Sequence, residues 1–180
     1  MIRQKEFEEL IKNEGKILFN TIFCILGDTH DTEDVYQESL LSAYSSLPSF
    51  KGDSKLFTWV YSITMNVVNN HLRKKVRQRK WIKSDSAEIK NERDGNKTEY
   101  GSDLIGKIME EKELSIALQT ALMDLPPEYR IVVVMREIDR MSYVDISRML
   151  GIKIGTVESR LFRARSILRK RLERAFGENR

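Results

Sequence analysis

Cysteine is nearly absent from this chain of 180 residues. Cys24 is the only one, which excludes an intrachain disulfide and gives no indication of an oxidising compartment. Because Cys24 lies in an apolar run, we expect a buried and inert thiol.

Long apolar runs, prolines and glycines are also scarce. No stretch approaches the roughly 20 residues of a membrane span, and the N-terminal segment MIRQKEFEEL lacks the apolar core of a signal peptide. With three prolines and nine glycines, against 41% hydrophobic and 32% charged residues, the composition indicates a helix-rich globular protein. We therefore expect a cytoplasmic protein without direct membrane insertion, made of one domain or two small ones.

Catalytic constellations are missing as well. His30 and His71 are far apart in the sequence and have no cysteine partners at metal-ligand spacing, so we expect both at the surface. No glycine-rich phosphate loop is present, and the acidic residues fall on predicted helix faces. The sequence predicts neither an enzyme nor a protein that binds a cofactor or a metal.

Positive charge is present in two blocks, although the net charge is only +4. Residues 71–83 hold seven lysines and arginines and no acidic residue, whereas residues 142–180 hold ten against four. The rest of the chain is acidic. This distribution is typical of a protein that meets nucleic acid phosphates at two separate places.

Apolar periodicity predicts an all-α protein with two small helical domains. We expect helices over residues 4–26, 32–47 and 55–75, with a turn-rich loop at 48–54. Residues 81–103 lose the periodicity and fill with polar residues, which predicts a flexible linker. The predicted domains are 1–80 and 108–180, with the linker at 81–107. The β-branched segment after Pro127 could suggest a strand, but a proline at the first position favours a helix.

The stretch from Met141 to Arg174 predicts two helices joined by a glycine turn. Ser142 is suited to cap the first helix, and Gly151 permits the left-handed backbone that ends it. The second helix starts near Gly155 and has one apolar stripe opposite a polar and basic face. This is the pattern of a helix-turn-helix, although such helix pairs also occur in all-α proteins that do not bind DNA. The stripe consists of Val157, Leu161, Ala164, Leu168 and Leu172.

Two longer segments resemble regions of bacterial sigma factors. The first segment resembles region 2 and has the sequence DTEDVYQESLLSAYSSLPSFKGDSKLFTWVYSITMNVVNNHLRKK. The second segment resembles region 4 and has the sequence LMDLPPEYRIVVVMREIDRMSYVDISRMLGIKIGTVESRLFRARSILRKRL. Because no region 3 intervenes, the chain is similar to the compact extracytoplasmic-function (ECF) group. The resemblance implies a subunit that binds core RNA polymerase, recognises the minus-ten and minus-thirty-five elements of promoter DNA and assists strand opening. It also implies control by an anti-sigma factor, often a membrane-bound one.

The resemblance assigns three sets of site residues. Core polymerase would be bound by Asp34, Gln37 and Glu38, which without the resemblance would be an ordinary solvated acidic face. The minus-ten element, including single-stranded non-template DNA, would be bound by Phe50, Lys51, Trp59, Tyr61, Asn66, Asn70, Arg73 and Lys74. These residues supply the stacking surfaces, amides and cations that captured bases need, and Trp59 could equally be structural. The minus-thirty-five element would be bound by Thr156, Glu158, Ser159, Arg160, Phe162 and Arg163.

Glu158 departs from the pattern, since the family often has Lys or Arg at this position. A carboxylate there would repel a phosphate, although it could accept a hydrogen bond from a cytosine amine. The sequence preference of the helix is therefore open.

Two other functions remain possible from the residues alone. A freestanding helix-turn-helix regulator with an N-terminal interaction domain is the main alternative, and an RNA-binding or phage-like interaction module is a remote one. The segments EDVYQES and FTWVYSITMN favour the sigma factor, because a repressor that binds only duplex DNA does not need them.

Overall fold

The first half of the chain forms a three-helix unit in the computed structural model, which describes residues 2–85 and 116–177, with side chains over 3–78 and 116–173. Its helices are α1 (Ile2–Leu26), α2 (Thr29–Ser46) and α3 (Leu56–Asp85), and a 3₁₀ turn at Leu47–Ser49 follows α2. Their apolar stripes meet in a shared core. The most deeply buried members of this core are Leu18, Ile22, Ile25, Val35, Ala43, Val60, Met65 and Val68.

The turn between α1 and α2 follows from its residues. Gly27 has a φ of +71°, which a residue with a Cβ rarely adopts. Asp28 then caps α2, because its side chain accepts a hydrogen bond from the amide of Asp31 at 2.8 Å. The helix predicted over residues 4–26 is confirmed as the single helix α1.

The second half forms a four-helix unit in the described residues. It consists of α4 (116–123), α5 (Pro127–Val133), α6 (Tyr143–Leu150) and α7 (Ile154–Gly177), and α5 continues as a π-helical turn at Val134–Ile138. The prediction of a helix after Pro127 is therefore confirmed. The all-α fold class is confirmed as well, with two helical units.

Hydrogen bonds and apolar contacts join the two units. The Arg130 guanidinium reaches from α5 to the carbonyl of Ile25 at 2.7 Å, at the end of α1. Asp139 follows the π turn and accepts hydrogen bonds from Thr21 at 3.1 Å and Tyr61 at 2.5 Å. Any side chain at Gly27 would overlap Met123 of α4, so α1 and α4 also pack closely there.

Several details differ from the sequence predictions. Helix α3 continues to Asp85, so the linker does not begin at residue 81, and the remainder of the predicted linker lies outside the described residues. Arg130, a charged residue of the predicted helix after Pro127, is only 8% exposed. His30 is exposed as expected, whereas the side chain of His71 is only 23% exposed and lies 3.5 Å from Asp31.

Candidate nucleic-acid interface

The helix-turn-helix has the local structure that its residues predict. The Ser142 hydroxyl accepts a hydrogen bond from the amide of Asp145 at 3.1 Å, which caps α6. Gly151 ends α6 in the left-handed conformation with φ 63° and ψ 37°. Ile146, Leu150 and the α7 residues Val157, Leu161 and Ala164 are buried, so α6 packs against the apolar side of α7.

Four of the predicted minus-thirty-five residues lie on the exposed side of α7. They are Glu158, Ser159, Phe162 and Arg163. Phe162 is 76% exposed, an unusual position for a phenyl group, and none of the residues that the structure describes covers it. Thr156 and Arg160 are half-buried. The structure therefore brings four of the six residues onto one accessible surface.

Three arginines of α7 have partners outside the helix among the described residues, and Arg171 lies 3.4 Å from Asp124. Arg163 donates to the hydroxyl of Tyr129 at 3.3 Å, and Arg165 donates to Glu137 at 2.6 Å. Tyr129 lies in α5 and Glu137 in its π-helical continuation, so the bonds of Arg163 and Arg165 hold side chains of α7 against α5 and the π turn. Both arginines remain exposed enough for their charge to face a phosphate backbone.

The loop before α3 carries an aromatic pair. The rings of Phe50 and Trp59 lie 5.1 Å apart, and both residues are half-buried. Arg3 of α1 donates to the Phe50 carbonyl, and its guanidinium lies 5.9 Å from the centre of the Phe50 ring. Aromatic and cationic contacts thus hold the loop at Phe50, its N-terminal end, and Lys51 is exposed beside them. Trp59 has a structural contact and a partly accessible ring.

The polar face of α3 collects most of the other predicted minus-ten residues. Asn66, Asn70, Arg73 and Lys74 are exposed, and their spacing of four, three and one places them on one side of the helix. Tyr61 does not join them. It is 3% exposed and its hydroxyl is bound to Asp139, so in this conformation it presents no surface to DNA.

The predicted polymerase-binding residues form an exposed acidic patch on α2. Asp34, Gln37 and Glu38 are all exposed, and His30 lies 3.2 Å from Asp34. Leu41 extends the patch by one turn and is 67% exposed. Sequence reasoning missed Leu41, although an exposed leucine at i+4 from Gln37 is the signal that would have indicated it.

A groove of about 340 Å³ lies between the two units, and it is lined from both sides. Arg73 and Arg77 reach it from α3, and Arg160 reaches it from α7. Its apolar lining includes Leu72, Val76, Ile131 and Leu150. Two residues predicted to bind different promoter elements, Arg73 and Arg160, therefore line the same groove in this conformation.

Sequence reasoning missed two polar groups, the buried Arg130 and the half-buried Asp139. Burial raises the pKa of Asp139, and the hydrogen bonds from Tyr61 and Thr21 oppose that shift. Burial and the nearby Asp139 raise the pKa of Cys24, which is consistent with an unreactive thiol.

In the described parts of the chain, no cluster of three or more histidine, cysteine or acidic side chains is placed to hold a metal ion. None of the helices described is both long and apolar enough to cross a membrane.

An exposed recognition helix and a second polar, aromatic surface on a separate helical unit define an all-α DNA-binding protein. Two family models match the chain, sigma-70 region 2 over residues 10–78 and sigma-70 region 4 over residues 115–168. Together they span more than half of its length. The chain belongs to the sigma-70 family and, within it, to the ECF sigma factors.

Relatives with curated names support the ECF assignment. The chain is 30% identical to the ECF RNA polymerase sigma factor SigW of Bacillus subtilis (strain 168), over 94% of this chain and 90% of the relative. It is 33% identical to the RNA polymerase sigma-H factor of Pseudomonas aeruginosa, over 91% and 84%. The sigma-70 family consists of transcription initiation factors and not of enzymes.

Solved structures have the same fold. The sigma factor RpoE in complex with the anti-sigma factor NepR from Bartonella quintana superposes with a TM-score of 0.68 at 25% identity, over 94% of this chain and 98% of that one. CnrH in complex with the cytosolic domain of CnrY gives a TM-score of 0.63 at 22% identity, over 94% and 89%. The second comparison supports the fold alone.

Proposed function

We propose that the chain is a promoter-specificity subunit that binds core RNA polymerase and directs initiation at promoters with matching minus-ten and minus-thirty-five elements. The observation that carries this proposal is the presence of a region 2 unit and a region 4 unit in one chain, aligned with ECF sigma factors over nearly their whole length. The place of action would be the cytoplasm.

We assign the binding sites for polymerase and promoter DNA to three exposed surfaces. The acidic patch of Asp34, Gln37 and Glu38 would contact polymerase, and Leu41 would add an apolar contact. The exposed face of α3 with Lys51 and Trp59 would hold single-stranded minus-ten bases, while the exposed face of α7 would enter the major groove at the minus-thirty-five element. The domain of residues 1–80 would bind polymerase and the minus-ten element, and the domain of residues 108–180 would bind the minus-thirty-five element.

Magnitudes explain why such a protein needs polymerase. Opening about ten base pairs costs roughly 1.4 kcal/mol per step, whereas each stacked base returns about 1 to 3 kcal/mol. A single helix-turn-helix buries only about 600 to 1,000 Å² against DNA. Neither unit alone supplies enough free energy, so the contacts must be pooled with those of a large DNA-binding partner.

An anti-sigma factor is the second proposed partner. The matched RpoE structure is a complex with the anti-sigma factor NepR. The groove between the units exposes arginines beside apolar residues and is therefore suited to an amphipathic acidic segment.

Run-off transcription with purified core polymerase tests the proposal. We expect promoter-dependent transcripts only when this protein is added, and little binding to the same duplex DNA without polymerase. A freestanding regulator would give the opposite result, a shift of duplex DNA unaided and no promoter-dependent transcript.

A further inference from the structure

The exposed side of α7 contains one carboxylate with apolar neighbours along the helix. Glu158 lies four residues from Ile154 and four from Phe162, which are 42% and 76% exposed. Residues at this spacing are adjacent on a helix surface. On its other flank is Gly155, where an added Cβ would meet nothing within 4 Å. The surface around Glu158 is therefore open, and its nearest neighbours on that column are hydrocarbon.

The arginines of α7 do not neutralise this carboxylate. Arg160 lines the groove between the units, Arg163 is bound to Tyr129, and Arg165 is bound to Glu137. Glu158 forms no hydrogen bond or ion pair with any side chain in the part of the chain that the structure describes. It lies in the second turn of the helix, beyond the first turn where a helix N-terminus stabilises negative charge most.

Contact with DNA would change the surroundings of this group. The ring of Phe162 and the side chain of Ile154 would exclude water from a close interface, and a carboxylate that loses water requires a hydrogen-bond donor. The DNA phosphates repel the carboxylate and offer it no hydrogen-bond donor. In the major groove, the N4 amine of cytosine is a donor, whereas guanine presents only the acceptors N7 and O6. Adenine also has an amine, but its N7 acceptor lies beside it and would face the carboxylate.

We propose that Glu158 is a specificity-determining residue that selects cytosine and rejects guanine at one position of the minus-thirty-five element. The proposal rests on the proposed function, since it assumes that α7 reads promoter DNA. A lysine or arginine at the same place would bind guanine O6 and N7. A carboxylate at residue 158 therefore prefers the opposite base, cytosine, to the guanine that a cation there would bind.

The test uses holoenzyme reconstituted from core polymerase and the full chain, and duplex promoters randomised across the minus-thirty-five element. Each promoter carries a barcode downstream of the start site, and we expect the promoters that the wild type transcribes to be enriched in cytosine at one position of the minus-thirty-five element. The variant Glu158→Gln should lose that enrichment by about fivefold or more and gain adenine there, because a glutamine pairs with adenine N6 and N7. Glu173→Gln makes the same charge change on the same helix, where Glu173 is exposed, and should keep the wild-type preference.

The outcomes separate the inference from the proposed function. Promoter-dependent transcription with the same base preference in the wild type and Glu158→Gln would overturn the inference and leave the function standing. A uniform loss of transcription over all promoter sequences, together with a lower thermal midpoint of Glu158→Gln, would assign Glu158 a structural role and also overturn it. No promoter-dependent transcript from the wild type would overturn both.

Discussion

The hydroxyl of Tyr61 donates a hydrogen bond to Oδ2 of Asp139 at 2.5 Å, across a separation of 78 residues in the sequence. Thr21 donates to the other oxygen of the same carboxylate at 3.1 Å. One side chain of the second unit is thereby bound to both α1 and α3 of the first. Asp139 directly follows the π turn. Its backbone amide donates a hydrogen bond to the carbonyl of Val134 at 3.0 Å, which closes the turn and fixes the place of Asp139.

Removing the Tyr61 hydroxyl should weaken the junction between the units. In Tyr61→Phe, Asp139 keeps only its bond from Thr21, and we expect the free energy of unfolding in urea to fall by about 1 to 3 kcal/mol. Tyr44→Phe is the matched control, since Tyr44 is exposed and its hydroxyl is 3.2 Å from Gln4. That change should cost less than about 0.5 kcal/mol. Equal effects of the two variants would show that the Tyr61 bond does not stabilise the junction.

Asp139 should give the stability a specific dependence on pH. Because burial raises its pKa above the ordinary value of 3.8, the folded protein binds this proton more tightly than the unfolded chain. Its stabilising contribution is full below pH 3.8 and is lost as the pH rises through the raised pKa. Asp139→Asn removes this titration. The free energy of unfolding of the wild type minus that of the variant should therefore fall as the pH rises above 3.8 and through the raised pKa of Asp139. A difference that stays constant with pH would contradict the assignment.

Local patterns were sufficient to predict the helix-turn-helix. The cap at Ser142, the left-handed Gly151 and the buried stripe that starts at Val157 depend on residues within a few positions of one another. Arg130 and Asp139 could not be placed in this way. Asp139 accepts hydrogen bonds from Thr21 and Tyr61 in the other half of the chain. Arg130 joins carbonyls of its own unit to the carbonyl of Ile25 in the other half.

The candidate site shows the same division. Helical period alone is sufficient to place Asn66, Asn70 and Arg73 on one face of α3. The sequence did not predict that Tyr61, on the same helix, is covered by Asp139. Packing between the two units determines which residues of a correctly predicted helix remain accessible to DNA.

The guanidinium of Arg130 should tolerate no replacement by lysine. It donates to the carbonyls of Leu122, Met123, Leu125 and Ile25 at 2.7 to 3.0 Å, and it is 8% exposed. A lysine has three donors in a different geometry and leaves buried carbonyls without partners. We expect Arg130→Lys to lower the free energy of unfolding in urea by about 2 to 4 kcal/mol.

Arg148→Lys is the control for that variant. Arg148 forms only an exposed pair with Asp145 at 3.4 Å, and such pairs contribute about 0 to 1 kcal/mol. A loss in Arg130→Lys no larger than in Arg148→Lys would contradict the role given to the four carbonyl bonds.

Charge reversal on α2 should impair assembly with polymerase. Glu38 is exposed in the acidic patch, and Glu38→Lys places a cation where the docking surface is proposed to be negative. We expect at least about tenfold weaker binding of core polymerase in a titration followed by native gel electrophoresis. Glu9→Lys makes the same charge change on the exposed side of α1 and should bind normally. Comparable losses in both variants would indicate a general charge effect and no specific docking by α2.

Trp59 should matter for strand opening more than for assembly. Its ring packs on Phe50 but stays partly accessible, and a stacked base is worth about 1 to 3 kcal/mol. Trp59→Ala should therefore lower transcription from a duplex promoter by about tenfold and lower it little from a template whose minus-ten region is already unpaired. Holoenzyme formation, measured on the same preparation, should be unchanged. If the variant lost activity equally on both templates, the ring would be needed to hold the loop in place, and capture of a melted base would not be its function.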